Sequence, residues 1–119
     1  MTSKRILVVD DEEDILWLNR LLLQKAGYEV ETALSGIEGL GKLASFDPQV
    51  VLLDVNLPGE QGLDVFREMK RQFPDTKVVL CSAMIPKETS DFMASDGFLP
   101  KPYTKDDLMA CIETQWPIK

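Results

Sequence analysis

Two rhythms of apolar residues alternate along this chain. Short apolar runs have the length and continuity of buried strands: Ile6–Val9, a central strand over 50–54 built on Val50–Leu53, and a fourth strand over Lys77–Cys81. Tyr28–Ala33 alternates apolar with polar and predicts a shorter, more exposed strand, and Phe98-Leu99 a brief fifth. Between them the apolar positions recur every three or four residues, as helices require. A first helix is expected from about Glu13 to Ala26, stopped by Gly27. At 100° per residue, Ile15, Leu18, Leu22 and Ala26 share one face flanked by Leu16 and Leu23, while Trp17 and Leu21 fall on the other side.

A second helix, weakened by Gly39 and Gly41, spans Ile37–Ala44, with Leu40 and Leu43 as its core contacts. A third carries Leu63, Phe66, Met69 or Lys70, and Phe73, and closes before Pro74. Pro86–Gly97 offers only Phe92 and Met93 as large apolar residues, so a helix there is expected to be short or irregular. Thr104 and Asp107 are spaced as a capping box opening a last helix, whose Leu108, Cys111 and Ile112 face inward. Strict alternation of strand and helix implies parallel strands joined by crossovers, hence an α/β three-layer sandwich forming a single domain over residues 1–119.

Composition narrows the chemistry. At 119 residues, 45% hydrophobic and 28% charged, the chain can bury an ordinary core, and disorder is not expected. No apolar run is long enough to span a bilayer and the N-terminus lacks a secretory signal, so no membrane association and a cytoplasmic setting are expected. A net charge of −7 with scattered Lys and Arg argues against direct nucleic-acid binding. The chain has no histidine, which removes Ser-His and Cys-His nucleophile pairs and imidazole zinc sites. Cys81 and Cys111 stand in apolar contexts as small core thiols, with a disulfide or metal ligation as alternatives.

If the strands are parallel, their carboxyl ends share one edge, where ligands bind in open α/β sheets. That edge would collect Asp10 and Asp11 after strand one, Asp54 after strand three, Ser82-Ala83 after strand four and Lys101 after strand five. Taken singly these residues have ordinary explanations: acids favour the first turn of a helix, and Asp54 could cap its strand. Three carboxylates together repel unless a cation sits among them, and Mg²⁺, which takes few carboxylates and completes its shell with water and phosphate oxygens, suits such a set. A carboxylate can itself accept a phosphoryl group, with a lysine and a hydroxyl holding the remaining oxygens.

Val8-Val9-Asp10-Asp11-Glu12, Leu52 through Gly59 with Gly62, Ser82-Ala83 and Lys101-Pro102-Tyr103 together resemble the receiver domains of two-component response regulators, over nearly the full chain. The resemblance implies a flavodoxin-like sheet in the order 2-1-3-4-5. It implies Asp54 as phosphoacceptor, and Asp10, Asp11, Asp54 and the carbonyl of Asn56 as Mg²⁺ ligands. Lys101 would pair with Asp54 or its phosphoryl group, Ser82 and Ala83 would face the phosphoryl group, and Ser82 with Phe98 would form the conformational switch. Asn56 and Met84 would tune access of water; apolar Met84 implies slow loss of phosphate. The implied partner is a histidine kinase or histidine phosphotransfer protein, with an unknown downstream target, since no effector domain follows within 119 residues. On this reading the chain is no enzyme in the usual sense, because it assists only its own phosphorylation and dephosphorylation.

Two features depart from the pattern. The stretch between Ser82 and Lys101 is about one helical turn short, which unsettles the helix there and the surface it would contribute. Trp17 and Leu21 turn outward on the first helix and are candidate partner contacts. The alternatives are a non-phosphorylated pseudo-receiver serving as an interaction module and a small phosphatase with Asp54 as nucleophile. The first is opposed by the complete residue set, the second by the lack of another acid or base near the acceptor.

Overall fold

The computed structural model describes residues 4–57, 59, 61–83 and 94–116. Five parallel strands, β1 (Arg5–Val9), β2 (Glu29–Ala33), β3 (Val50–Asp54), β4 (Lys77–Ser82) and β5 (Gly97–Pro100), lie in the order β2-β1-β3-β4-β5. Helices α1 (Glu13–Lys25), α2 (Gly36–Phe46), α3 (Gly62–Gln72) and α4 (Lys105–Glu113) cover its faces. The helix expected between β4 and β5 falls mostly on residues outside the described ones, as does Met84.

The alternation of side chains along each strand builds two cores. Val50 and Leu52 of β3 join Leu16 and Leu23 of α1 and Leu108 and Ile112 of α4. Val51 and Leu53 point the other way, onto Leu43 of α2 and Val65, Phe66 and Met69 of α3. All five residues of β3 are buried, so this strand is fixed from both sides. Burying each Leu or Val contributes roughly 1.5–3 kcal/mol, offset by the ordering of the chain.

Local chemistry places the helices. Ser35 Oγ accepts the Glu38 amide to start α2, and Thr104 and Asp107 form the expected reciprocal box at the start of α4. Gly39, which weakens α2 as a helix, lets it lie against β1: a Cβ there would stand 2.9 Å from Val9 Cγ2. Gly62 is more constrained, because a Cβ would fall 2.3 Å from the Cα and carbonyl oxygen of Val55. Asp96 fastens the start of β5. Its Oδ2 accepts from the Val78 amide at 2.8 Å and from Lys70 Nζ at 3.1 Å, and its carbonyl accepts from Gln115 Nε2 at 3.2 Å.

One expectation is corrected. The inward face of α1 is centred on Leu16, Asn19 and Leu23, and Leu18 is 45% exposed. Periodicity read from apolar residues alone rotated the helix, because it left the buried polar Asn19 out of the face.

The two glycine environments separate packing from propensity. Gly62→Ala should destabilise the domain by about 2 kcal/mol or more, since backbone must move. Gly41→Ala, with no atom within 4 Å of its Cβ, should stabilise it by about 0.5–1 kcal/mol. Thermal unfolding of the two variants should show shifts of opposite sign.

Candidate phosphoryl-transfer site

Strand register assembles the site. Val9 pairs with Leu53, so Asp10 emerges beside Asp54; Asp54 pairs with Cys81, and Ser82 with Pro100, one residue before Lys101. Ladder bonds continue past the strands. Asp10 N–H donates to Ala33 O, Val55 N–H to Cys81 O and Lys101 N–H to Ser82 O, at 2.9–3.1 Å. The backbones on either side of the cleft are therefore anchored to the sheet.

Asp10, Asp54 and Ser82 are 3–4% exposed. Lys101 Nζ donates to Asp10 Oδ2 and to Asp54 Oδ2, each at 2.9 Å. The remaining oxygens are also held: Asp10 Oδ1 accepts from Glu12 N–H at 3.0 Å and Asp54 Oδ1 from Asn56 N–H at 2.9 Å. Burial opposes the charge on Lys101, but its hydrogen bonds to the two carboxylates outweigh that and raise its pKa above the ordinary lysine value. The Lys101 ammonium group thus places a positive charge between the two buried acids. Burial pushes the Tyr103 phenol up to about 12, so it is neutral at physiological pH.

Asp11 is exposed at the rim. One carboxylate oxygen each from Asp10, Asp11 and Asp54 lies within 4.8 Å of the others. Hard oxygen donors in this number, on an open rim, fit Mg²⁺ well. Asn56 Nδ2 donates to Ser82 Oγ at 3.1 Å, which joins the loop after β3 to the β4 hydroxyl. Phe98 is half-buried against the core on the α2–α3 side, paired in register with Leu80.

The structure thus brings together Asp10, Asp11, Asp54, Asn56, Ser82 and Lys101. Ala83 and Lys101 border a groove of about 340 Å³, largely apolar, whose α1 wall is Ile15, Leu18 and Asn19 and whose opposite wall is Pro102 and Tyr103. Trp17 is 66% exposed and Leu21 half-buried, but neither lines this groove; Trp17 faces a second one shared with Thr32 and Leu34. Ile15 and Leu18, which the periodicity turned inward, are the apolar residues of α1 beside Lys101. Asn19 was missed altogether, although its place three residues after Leu16 and four before Leu23 marks it as facing the core. Both cysteines are free thiols whose pKa values burial raises, as small core residues should be.

Comparison with known proteins gives this geometry its context. The model of the response regulator receiver domain matches residues 6–113. The alkaline phosphatase synthesis transcriptional regulatory protein PhoP of Bacillus subtilis is 32% identical over 114 residues, covering 93% of this chain and 48% of PhoP. The chain therefore spans about half the length of the curated relatives it matches. Chemotaxis protein CheY4 of Vibrio cholerae superposes with a TM-score of 0.89 at 29% identity, covering 95% of this chain and 98% of that one. The response regulator TrrA of Thermotoga maritima, solved in complex with Mg(2+)-BeF, is 36% identical with a TM-score of 0.85 over 94% of this chain and 98% of its own. TrrA has also been solved in complex with the histidine kinase ThkA. No helix among the described residues is long and apolar enough to cross a membrane. The parallel sheet and its strand-end chemistry have one family behind them, and this chain belongs to it: the response regulator receiver domains of two-component systems.

Proposed function

We propose that this chain accepts a phosphoryl group on Asp54 from the phosphohistidine of a histidine kinase or histidine phosphotransfer protein and changes conformation in response. The observation that carries this reading is the Asp54 carboxylate, buried and aimed by β3, with one oxygen on Lys101 and the other on the Asn56 amide. In the transfer, the N–P bond to the donor imidazole breaks with its electron pair returning to nitrogen, and an O–P bond forms at Asp54. Asp10, Asp11 and Asp54, with the Asn56 carbonyl, would hold Mg²⁺. Bound there, the ion would neutralise charge on the phosphoryl oxygens. Lys101 is placed to exchange its bond to Asp54 for one to a phosphoryl oxygen, and Ser82 to exchange Asn56 for another. Movement of Ser82 would let Phe98 repack against the core, which is the readout a partner would sense. The chain acts as a regulatory module and turns over no external metabolite, and the reading places it in the cytoplasm.

Donor docking is assigned to the groove walled by Ile15 and Leu18, because it opens directly beside Lys101. Trp17 and Leu21 then lie at the periphery of the docking surface.

Two measurements test the reading. Intact mass after treatment with a small acyl phosphate should rise by one phosphoryl group in the presence of Mg²⁺, and should not rise for Asp54→Asn or without the ion. No gain on the wild type would leave a receiver fold used only for interaction. With the partner kinase, Leu18→Ala should slow phosphotransfer about tenfold at limiting protein, whereas Trp17→Ala should stay within about threefold, since removing one central apolar contact typically costs 1–2 kcal/mol. The reverse order would move docking to the Trp17 side of α1.

A further inference from the structure

We propose that Asn19 is a positioning residue for Lys101, acting through Tyr103, a role that rests on the phosphoryl-transfer reading above. Asn19 is 3% exposed on the inward face of α1. Its Nδ2 donates to the Tyr103 hydroxyl at 2.7 Å, across 84 residues of sequence. Tyr103 lies two residues beyond Lys101. The β5–α4 connection is thus fastened on both sides of Lys101: its own N–H donates to Ser82 O at 2.9 Å on the sheet side, and Tyr103 is tied to α1 on the other.

Of the other buried polar residues among those described, Asp10, Asp54 and Ser82 belong to the site, and Gln115 is bonded to the Asp96 and Cys111 carbonyls. Asn19 is the one whose recorded hydrogen bond leads to the lysine loop from a helix. Stability alone does not call for an amide and a phenol here. The net gain of a buried hydrogen bond is small, and an apolar pair of similar shape would hold α1 to the loop about as firmly. What the hydrogen bond adds is direction, because it fixes one separation and one orientation where apolar contact tolerates several.

That matters because Lys101 reaches two carboxylates at 2.9 Å on a flexible four-carbon stem. Such a stem meets both partners at once only if its backbone origin is held in place. A loosened loop would let the ammonium follow one carboxylate and leave the other.

The test is the double variant Asn19→Leu/Tyr103→Phe, which removes both polar groups together and leaves neither unpaired. Its thermal unfolding should stay within a few degrees of wild type, whereas each single change should unfold earlier. In protein labelled with ¹⁵N-lysine, without Mg²⁺ at one neutral pH, the Lys101 ammonium resonance, identified by its loss in Lys101→Met, should be sharp in wild type. In the double variant it should broaden or vanish. With Mg²⁺ and a small acyl phosphate, the maximal phosphorylation rate should fall three- to tenfold while the half-saturating donor concentration stays within twofold. A folded double variant with the wild-type ammonium resonance and rate would overturn the proposal. Should the wild type take up no phosphate, the proposed function fails and the ammonium resonance alone decides the positioning role. Should the double variant not fold, Tyr103→Phe alone is read in the same way, with an unchanged resonance again overturning it.

Discussion

Two buried carboxylates bridged by one ammonium group set the terms for the rest of this molecule. Asp10 and Asp54 are almost fully out of solvent, with carboxylate oxygens within 4.8 Å of each other, and Lys101 contacts both at 2.9 Å. Like charges that close repel by on the order of 4 kcal/mol at an effective dielectric of about 20. The arrangement persists because Lys101 offsets that repulsion and because Glu12 and Asn56 amides hold the remaining oxygens. Clustered carboxylates of this kind need positive charge beside them, which here comes from the Lys101 ammonium group.

The fold contributes rigidity where the chemistry needs it. β3 is buried along its whole length between two separate cores, so Asp54 stands at the end of a rod that neither face can tilt. Gly62 sits against the Val55 backbone and thereby sets how closely α3 approaches the loop beyond Asp54. Asp96 performs a comparable task at the far end of the sheet, joining β4, α3 and the end of α4 to the start of β5. Ser82 and Phe98 lie on the neighbouring strands β4 and β5, held to β3 through the same parallel ladder.

α1 has a double role. Its inward face seals the core through Leu16 and Leu23, and its N-terminal half walls the groove beside Lys101. The rotation that makes this possible places Leu18 partly in solvent and Asn19 in the interior. The exposed apolar surface of the helix is thereby divided between the groove beside Lys101 and a separate one at Trp17. A single helix thus both walls this groove and contacts the loop that carries the lysine.

Much of this was legible in the chain itself. Continuous apolar runs against helical spacing determined the alternation of elements, and alternation determined parallel strands with their carboxyl ends on one edge. Because that edge gathers whatever follows each strand, Asp10, Asp54, Ser82 and Lys101 could be put together before any coordinates. The capping box at Thr104 and Asp107 was legible too, since its partners are three residues apart. What only the tertiary structure decided depends on contacts across long separations or on the rotation of a helix by a fraction of a turn. Asn19 reads as a break in an apolar stripe until Tyr103 arrives from 84 residues away to satisfy it. Asp96 reads as a loop acid until Val78 and Lys70 meet it, and Gly62 as a mere helix start until the Val55 backbone is found against it. Sequence periodicity records which residues avoid water on average; it does not record which polar group has found a partner inside, as Asn19 has in Tyr103 and Asp96 in Val78 and Lys70.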